Sequence, residues 1–195
     1  DFSNKTILRI HTTLAQMVVE KSVPITSRVR FRLHREQRSF AIARQVFFST
    51  RFHQAEISRM FPCIGQSTIA PIGFAVPETW REACEEDEAK AKGGNGNGVR
   101  FLLIGSADRR KAFDLIIPTL QAYAEAFGPC ELDIVSNCSE EKKRCFNLNP
   151  PHPPGVSIRW HSGISQDALL ALYRRSDVLF HPARYESFGL PFIEA

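Results

Sequence analysis

Two glutamates, Glu186 and Glu194, lie on either side of a turn sequence near the end of the chain. The residues between them include Ser187-Phe-Gly-Leu-Pro191 and follow a short apolar run. Gly189 permits a left-handed backbone, and Pro191 suits the first turn of a helix. Free amides at a helix start, together with the positive end of the helix dipole, favour a phosphate group. The pattern indicates an anion site whose flanking carboxylates could bind sugar hydroxyls.

The same two acids also have an ordinary explanation. Glu186 could be a solvated loop residue, and Glu194 could be an acid in a helical first turn, where the dipole favours negative charge. The segment taken alone leaves both interpretations open, so the rest of the chain must decide between them.

Short apolar strands alternate with helical patterns along the chain. Strands are predicted at residues 5–10, 46–49, 67–72, 99–104, 131–135, 156–160 and 177–180. Helices are predicted from the first strand to about residue 44, over 51–61, over 112–127 with a kink at Pro118, and from the cap Ser165 to about residue 175. This order predicts an α/β fold with parallel, doubly wound sheets, whose ligands bind beyond the carboxyl ends of the strands.

The composition changes twice and predicts three regions. Residues 1–75 have the pattern of the carboxyl-terminal half of a Rossmann-like domain, 76–98 are acidic and then glycine-rich like a linker or mobile loop, and 99–195 have the pattern of most of a second Rossmann-like domain. The glycine cluster at 93–98 precedes a strand, whereas a phosphate loop should follow one. Gly105 does follow a strand and is the better candidate.

The bulk composition is that of a soluble globular protein, with 43% hydrophobic and 24% charged residues. No apolar run approaches the roughly 20 residues that a membrane span requires, and the first residues do not resemble a signal peptide. Five cysteines without a C-x-x-C pair disfavour a disulfide framework or a zinc ribbon. We therefore expect a cytoplasmic protein.

The first part of the chain is basic, because residues 1–75 carry 11 Lys and Arg against 4 Asp and Glu. Five arginines crowd one segment: Arg28, Arg30, Arg32, Arg35 and Arg38. They could contact anionic lipid headgroups, which would place the protein at the inner face of a membrane, or they could form a solvated helix face. Nucleic acid is disfavoured because the nearby phenylalanines follow apolar periodicity and form no evident stacking platform.

The segment Glu186-Ser-Phe-Gly-Leu-Pro-Phe-Ile-Glu194 resembles the E-x7-E signature of retaining, nucleotide-sugar-dependent glycosyltransferases of the group 1, or family 4, type. These enzymes have two Rossmann-like domains, the GT-B fold. Further stretches resemble the family in the expected order: 10–12, 48–51, 69–73, 103–105, 110–114 and 169–177. Two positions depart from it, since the family commonly has arginine where Ser106 stands and glycine where Ala112 stands.

The resemblance implies a retaining transfer of sugar from a nucleoside-diphosphate sugar to an unidentified glycan, lipid or small-molecule acceptor, without a cofactor. It places three residues at the reaction centre: His11, Lys111 and Glu186. It also implies a set of donor-binding residues. Gly105, Arg110 and Lys111 would lie near phosphate, and Gly163 and Ile164 at the base. Ser187, Phe188, Gly189 and Leu190 would contact sugar or phosphate, and Glu194 would bind the ribose.

Such a reaction needs positive charge on the departing diphosphate. The sequence has no Asp-x-Asp pair and no His/Cys cluster with metal-ligand spacing, so we expect side chains and amides to act without a metal. Lys111 is the leading candidate because it follows Gly105 on a strand-end loop. A lysine at a helix start is otherwise electrostatically unfavourable.

Three other functions remain to be compared with this one. A non-catalytic nucleotide- or sugar-binding module is the main alternative, because Ser106 and Ala112 alter the phosphate segment. A glycoside hydrolase needs carboxylates on opposite sides of the scissile bond, whereas Glu186 and Glu194 share one corner. An NAD-dependent enzyme would require a glycine-rich turn after the first strand, which the sequence does not supply.

Overall fold

The computed structural model describes residues 7–10, 13–20, 23–64, 67–69, 80 and 98–195. The chain divides into two compact units. The first unit contains Asp1–Phe74 and Tyr185–Gly189, and the second contains Ala75–Arg184 and Leu190–Ala195. The linker predicted at 76–98 lies almost entirely outside the described residues, so its boundaries stay predictions.

The first unit is built on a parallel sheet in the order β1-β2-β3. The strands are β1 (Ile7–Ile10), β2 (Gln45–Phe48) and β3 (Ser67–Ile69), close to the predicted positions. Val46 and Phe48 point from β2 into a core that Phe40, Ile57 and Phe61 complete. The rings of Phe40 and Phe61 lie 4.6 Å apart between centroids. Alternation of buried and half-buried residues in β2 fits a strand with one face on this core.

The prediction of one continuous helix before β2 is wrong, because two helices occupy this stretch: α1 (Leu14–Glu20) and α2 (Ser27–Ile42). Pro24 has no amide hydrogen and disfavours helical geometry in the residue before it. The Thr26 side chain then accepts a hydrogen bond from the Val29 amide and starts α2. A third helix, α3 (Arg51–Met60), matches the predicted helix over 51–61 and is capped by the Thr50 side chain.

The second unit contains a four-stranded parallel sheet in the order β6-β5-β4-β7. Its strands are β4 (Val99–Ile104), β5 (Cys130–Val135), β6 (Val156–His161) and β7 (Val178–Leu179). The parallel sheet confirms the prediction, although β7 is shorter than expected. Since the chain moves outward from β4 to β6 and then returns to the other side of β4, the strand order reverses between β4 and β7. Ligands of doubly wound sheets bind at such a point.

One face of this sheet carries the core of the second unit. Phe101, Leu103, Leu132 and Ile134 alternate along β4 and β5, and all are buried. They pack against Phe113, Ile116 and Leu120 from the segment after β4. This packing presents the carboxyl ends of β4, β5 and β6 along one edge.

The predicted helix over 112–127 forms in two parts, a 3₁₀ turn at Phe113–Leu115 and helix α4 at Ile116–Phe127. Pro118 is the third residue of α4, where the amide has no acceptor within the helix. The predicted kink at Pro118 is therefore wrong, because the proline lies in the first turn, where it breaks no hydrogen bond.

Three further helices complete the described second unit: α5 (Glu140–Cys145), α6 (Gln166–Arg175) and α7 (Pro191–Glu194). Helix α6 starts at the predicted cap Ser165. Helix α5 was not predicted, although its cap Ser139, its two glutamates in the first turn and its basic residues in the last turn are a recognisable helix signal. Within the described residues, every helix is too short or too polar to traverse a bilayer.

A pair of glycines allows the effects of backbone strain and steric clash to be separated. Gly98 and Gly128 have nearly identical φ angles, +96° and +97°, but a Cβ at Gly98 would lie 2.1 Å from the Pro129 carbonyl oxygen, whereas one at Gly128 meets no atom within 4 Å. We expect Gly128→Ala to lower the free energy of unfolding by about 1 kcal/mol through strain alone. Gly98→Ala should cost about 2 kcal/mol. Equal losses in urea denaturation would contradict this assignment.

Candidate functional site

A cavity of about 430 Å³ lies at the carboxyl edge of the second sheet. This volume is within the range of small-molecule binding sites. Its lining includes residues that follow three adjacent strands: Gly105 and Ser106 after β4, Ser136 and Asn137 after β5, and Gly163 and Ile164 after β6. The structure therefore brings together three predicted donor-binding residues, Gly105, Gly163 and Ile164, although Gly163 comes 58 positions after Gly105.

The side chain of Lys111 crosses the surface of Gly105. A Cβ built on Gly105 would lie 3.4 Å from Lys111 Cε and 3.5 Å from its Cδ. The Lys111 amide donates to Asp108 Oδ1 at 3.0 Å, and the Ser106 hydroxyl donates to Asp108 Oδ2 at 2.8 Å. Asp108 thus organises the loop, and the aliphatic stem of the lysine passes beside the glycine that ends the strand.

The residue after Lys111 has an unusual backbone. Ala112 is fully buried and adopts the left-handed conformation, with φ 55° and ψ 38°. This conformation costs an L-residue about 1–2 kcal/mol and costs glycine little. The structure therefore gives a physical reason for the family's glycine at this position, and it shows that alanine keeps the same turn here.

Arg184 holds the loop that carries Arg110 and Lys111. Its amide donates to the Arg110 carbonyl at 2.9 Å, and its Nη1 donates to the Arg109 carbonyl at 2.8 Å. Its guanidinium also binds both carboxylate oxygens of Asp114, at 2.6 and 2.7 Å. These hydrogen bonds from Arg184 lower the pKa of Asp114, which stays ionised. Arg110, which the family resemblance places near phosphate, is therefore held in this loop by the hydrogen bond to its carbonyl oxygen.

Glu194 accepts a hydrogen bond from Tyr173 of α6, with 2.7 Å between Oη and Oε2. Burial raises the pKa of Tyr173, and the hydrogen bond and charge of Glu194 raise it further, so the phenol remains a donor. The Trp80 ring packs edge-on against Tyr173, 5.6 Å between centroids. Pro191 begins α7, as predicted, and Leu190 is its exposed cap residue.

The first four residues of the E-x7-E segment, Glu186 to Gly189, belong to the first unit. Gly189 has φ 80°, which confirms the predicted left-handed turn. The Thr50 hydroxyl donates to the Ser187 carbonyl at 3.1 Å, and the buried Tyr185 packs against Phe52. Glu186 and Phe188 are half-buried in the same segment. The described geometry of each unit therefore contains part of the signature, and His11 lies outside the described residues.

The sequence analysis missed a buried acid in β5 that contacts the last residue of β6 and the last residue of α6. Asp133, in the middle of β5, has a fully buried carboxylate that lies 2.6 Å from His161 Nε2 and 2.7 Å from Arg175 Nη2. The signal was an aspartate inside the apolar strand Glu131-Leu-Asp-Ile-Val135, since such an acid needs partners. In the described part of the chain, no three His, Cys, Asp or Glu residues are grouped as metal ligands.

The family described as "Glycosyl transferases group 1" matches residues 85–195, which is more than half of the chain. The chain belongs to this family. No curated protein matches it.

Three solved structures illustrate the similarity of fold. The chain is 14% identical to TarM (TM-score 0.61), 13% to a UDP-forming trehalose-phosphate synthase from Burkholderia xenovorans (0.62) and 13% to Anabaena Alr3699/HepE (0.55). These matches cover 96%, 97% and 97% of this chain and 34%, 50% and 49% of the other chains, respectively. The chain thus spans between a third and a half of their lengths. The predicted α/β fold of the GT-B type is confirmed.

Proposed function

We propose that this chain is part of a retaining, metal-independent glycosyltransferase that moves a sugar from a nucleoside-diphosphate sugar to an acceptor. The observation that carries the proposal is the cavity at the strand ends, with the Lys111 stem crossing Gly105 at its edge. A strand-end glycine lets a phosphate approach the backbone, and an adjacent ammonium group supplies positive charge.

The chemistry assigns a task to each end of the donor. As the bond between the sugar and the diphosphate breaks, negative charge grows on the diphosphate, and Lys111 stabilises it. Glu194 accepts hydrogen bonds from the ribose hydroxyls, and Gly163 and Ile164 seat the base. Glu186 and His11 stay assigned to the reacting sugar through the family resemblance. We propose that the acceptor attacks from the face that the diphosphate leaves, which retains the anomeric configuration.

Two related structures support a nucleotide-sugar donor. HepE was solved in complex with UDP and glucose, and an E. coli trehalose-6-phosphate protein of TM-score 0.54 was solved with UDP-2-fluoro glucose. Both support a nucleoside-diphosphate sugar as the donor of this chain.

The test is to incubate the full-length protein with UDP-, GDP- and ADP-sugars and to measure released nucleoside diphosphate. We expect a glycosyltransferase to release it with at least one donor, with water taking the place of the natural acceptor. Binding of a donor without release would favour the non-catalytic module instead. Neither binding nor release would overturn both proposals.

We further propose that α2 places the protein at the inner face of a membrane. One side of α2 bears exposed residues at helical spacing: Arg28, Phe31, Arg35, Arg38 and Ile42. Phe31 is 61% exposed, and the Arg35 guanidinium lies 6.0 Å from its ring centroid. The opposite side includes the buried Phe40. Arginines beside an exposed aromatic ring suit an anionic lipid interface, where the ring inserts and the cations bind phosphates.

Binding to vesicles tests this contact. Because one basic residue near an anionic surface contributes about 1 kcal/mol, Arg35→Gln should lower partitioning to phosphatidylglycerol vesicles about fivefold. Added salt should weaken binding of the wild-type protein by screening. Arg59→Gln is the matched control, since this exposed arginine lies on α3 and pairs with Glu56. Binding that ignores salt, or equal losses in both variants, would contradict the membrane proposal.

A further inference from the structure

Side chains accept hydrogen bonds from four successive amides at the start of α1. The Thr13 amide donates to Gln16 Oε1 at 3.0 Å, and the Gln16 amide donates to Thr13 Oγ1 at 3.0 Å, which is a capping box. The amides of Leu14 and Ala15 donate to the Glu36 carboxylate of α2 at 2.7 and 3.2 Å. Because the first amides of a helix have no acceptor within it, these bonds fix the chain where α1 begins.

The Gln16 side chain also reaches the segment that contains Glu186. Its Oε1 accepts from the Thr13 amide, so the nitrogen of the same group points the other way. This nitrogen, Nε2, donates to the hydroxyl oxygen of Tyr185, which lies 169 positions further along the chain. Thr13 and Gln16 are each 1% exposed, and Tyr185 is 6% exposed. Breaking this link would leave a buried polar group without its partner, which is unfavourable.

The chain is bonded to the rest of the first unit on both sides of Glu186. On one side, Tyr185 accepts from Gln16, and its ring centroid lies 6.0 Å from that of Phe52. On the other side, the Thr50 hydroxyl donates to the Ser187 carbonyl at 3.1 Å. The backbone at Glu186 is therefore held by contacts that its own side chain does not make.

The sequence positions of these contacts relate them to the reacting sugar, where the proposed function assigns His11 and Glu186. Thr13 comes two positions after His11, and Tyr185 directly precedes Glu186. We propose that Gln16 is a positioning residue, because its side chain joins the chain just after His11 to the residue just before Glu186 and fixes both segments for sugar transfer. This inference rests on the proposed function, since it requires that both side chains act on the donor sugar.

A positioning role of this kind affects the rate of transfer and not the binding of the nucleotide. A misplacement of about 1 Å at a reaction centre can slow a reaction about 10²-fold. A nucleoside diphosphate lacks the sugar that His11 and Glu186 are proposed to contact, so its affinity does not depend on where these two side chains lie. A rate constant and a nucleotide Kd, measured on the same variant, therefore distinguish positioning from general damage.

Two variants of the full-length protein break the link from its two ends: Gln16→Leu and Tyr185→Phe. We expect each to lower kcat for diphosphate release from the preferred UDP-, GDP- or ADP-sugar about 10- to 100-fold. The Kd of the corresponding nucleoside diphosphate, measured by calorimetry, should stay within twofold of the wild type. The double variant should be no slower than the slower single variant, because both changes remove the same hydrogen bond.

Two control variants separate this effect from loss of a hydroxyl group and from loss of stability. Tyr123→Phe makes the same chemical change on α4 of the second unit, where the ring packs edge-on against Phe101. Ile57→Val removes one methylene group from the fully buried core of the first unit. It should lower the thermal unfolding temperature, because it leaves a small cavity. Both controls should keep the kcat of the wild type.

The outcomes separate this inference from the proposed function. If the wild type releases no diphosphate from any of the donors, the proposed function and this inference both fail. If the wild type is active but Tyr185→Phe keeps its kcat within twofold, the transferase stands and the role of Gln16 is overturned. A nucleotide Kd that rises as much as kcat falls would also overturn it, as would losses that multiply in the double variant, because the two residues would then act independently.

Discussion

Replacing Lys111 with alanine is expected to slow sugar transfer by about 10²- to 10³-fold at saturating donor. The departing diphosphate gains negative charge as the glycosidic bond breaks, and removing one fixed group that stabilises such charge typically has an effect of this size. The Lys111 stem already lies against Gly105 at the strand end, so the ammonium group need not be brought from another part of the loop. Initial rates of diphosphate release with the preferred donor measure the effect.

Lys142→Ala is the control for the Lys111 variant. Lys142 is exposed on α5 of the same unit, and its removal changes the net charge by the same amount. Its rate should match the wild type. A rate for Lys111→Ala within threefold of the wild type would remove the lysine from the reaction and would favour a solvated role at the start of the following 3₁₀ turn.

Replacing Glu194 with alanine is expected to raise the donor Kd about ten- to hundredfold. A hydrogen bond to a charged group contributes roughly 1.5–3 kcal/mol, and the proposed partners are the ribose hydroxyls. Isothermal calorimetry with the nucleoside diphosphate measures this loss directly. An unchanged Kd would refute the ribose assignment.

The Glu194 carboxylate accepts a hydrogen bond from Tyr173 and, in the proposed function, binds the ribose. Tyr173→Phe separates these two roles. The Tyr173 hydroxyl donates to Glu194 Oε2, so the phenylalanine variant keeps the acid and loses only the group that orients it. We expect a smaller rise in Kd than for Glu194→Ala. A larger rise would mean that the tyrosine itself, rather than the glutamate, binds the donor.

Local sequence signals predicted most of the strands and the position of the cavity. Apolar runs of four to six residues indicate β4, β5 and β6. Gly105, directly after β4, indicates the end of that strand, and it lines the cavity. Parallel strands place such ends along one edge, so Gly105 and Gly163 could be placed near each other before any coordinates. Pro24 also indicates the break between α1 and α2. The prediction missed this break because the residues around Pro24 continue a helical periodicity.

The interactions that hold the site could not be predicted in the same way. Asp133 and His161 are 28 residues apart, and Arg184 and Asp114 are 70 residues apart. Such pairs depend on the strand order and on the register, whereas periodicity reports only which face of an element is apolar. The return of the chain from β6 to the far side of β4 brings Arg184 to the loop after β4, and no local pattern contains that step.

The hydrogen bonds from Arg184 to the loop after β4 affect the free energy of ligand binding. Opening the loop requires breaking the bonds to two successive carbonyl groups and to both oxygens of Asp114. A ligand that meets an already rigid cradle loses little affinity to the ordering of protein atoms. Under the proposed function, the pyrophosphate would bind at this loop tightly over a small contact area, and weakening the Arg184 contacts should then lower the affinity for every nucleotide alike, regardless of its base.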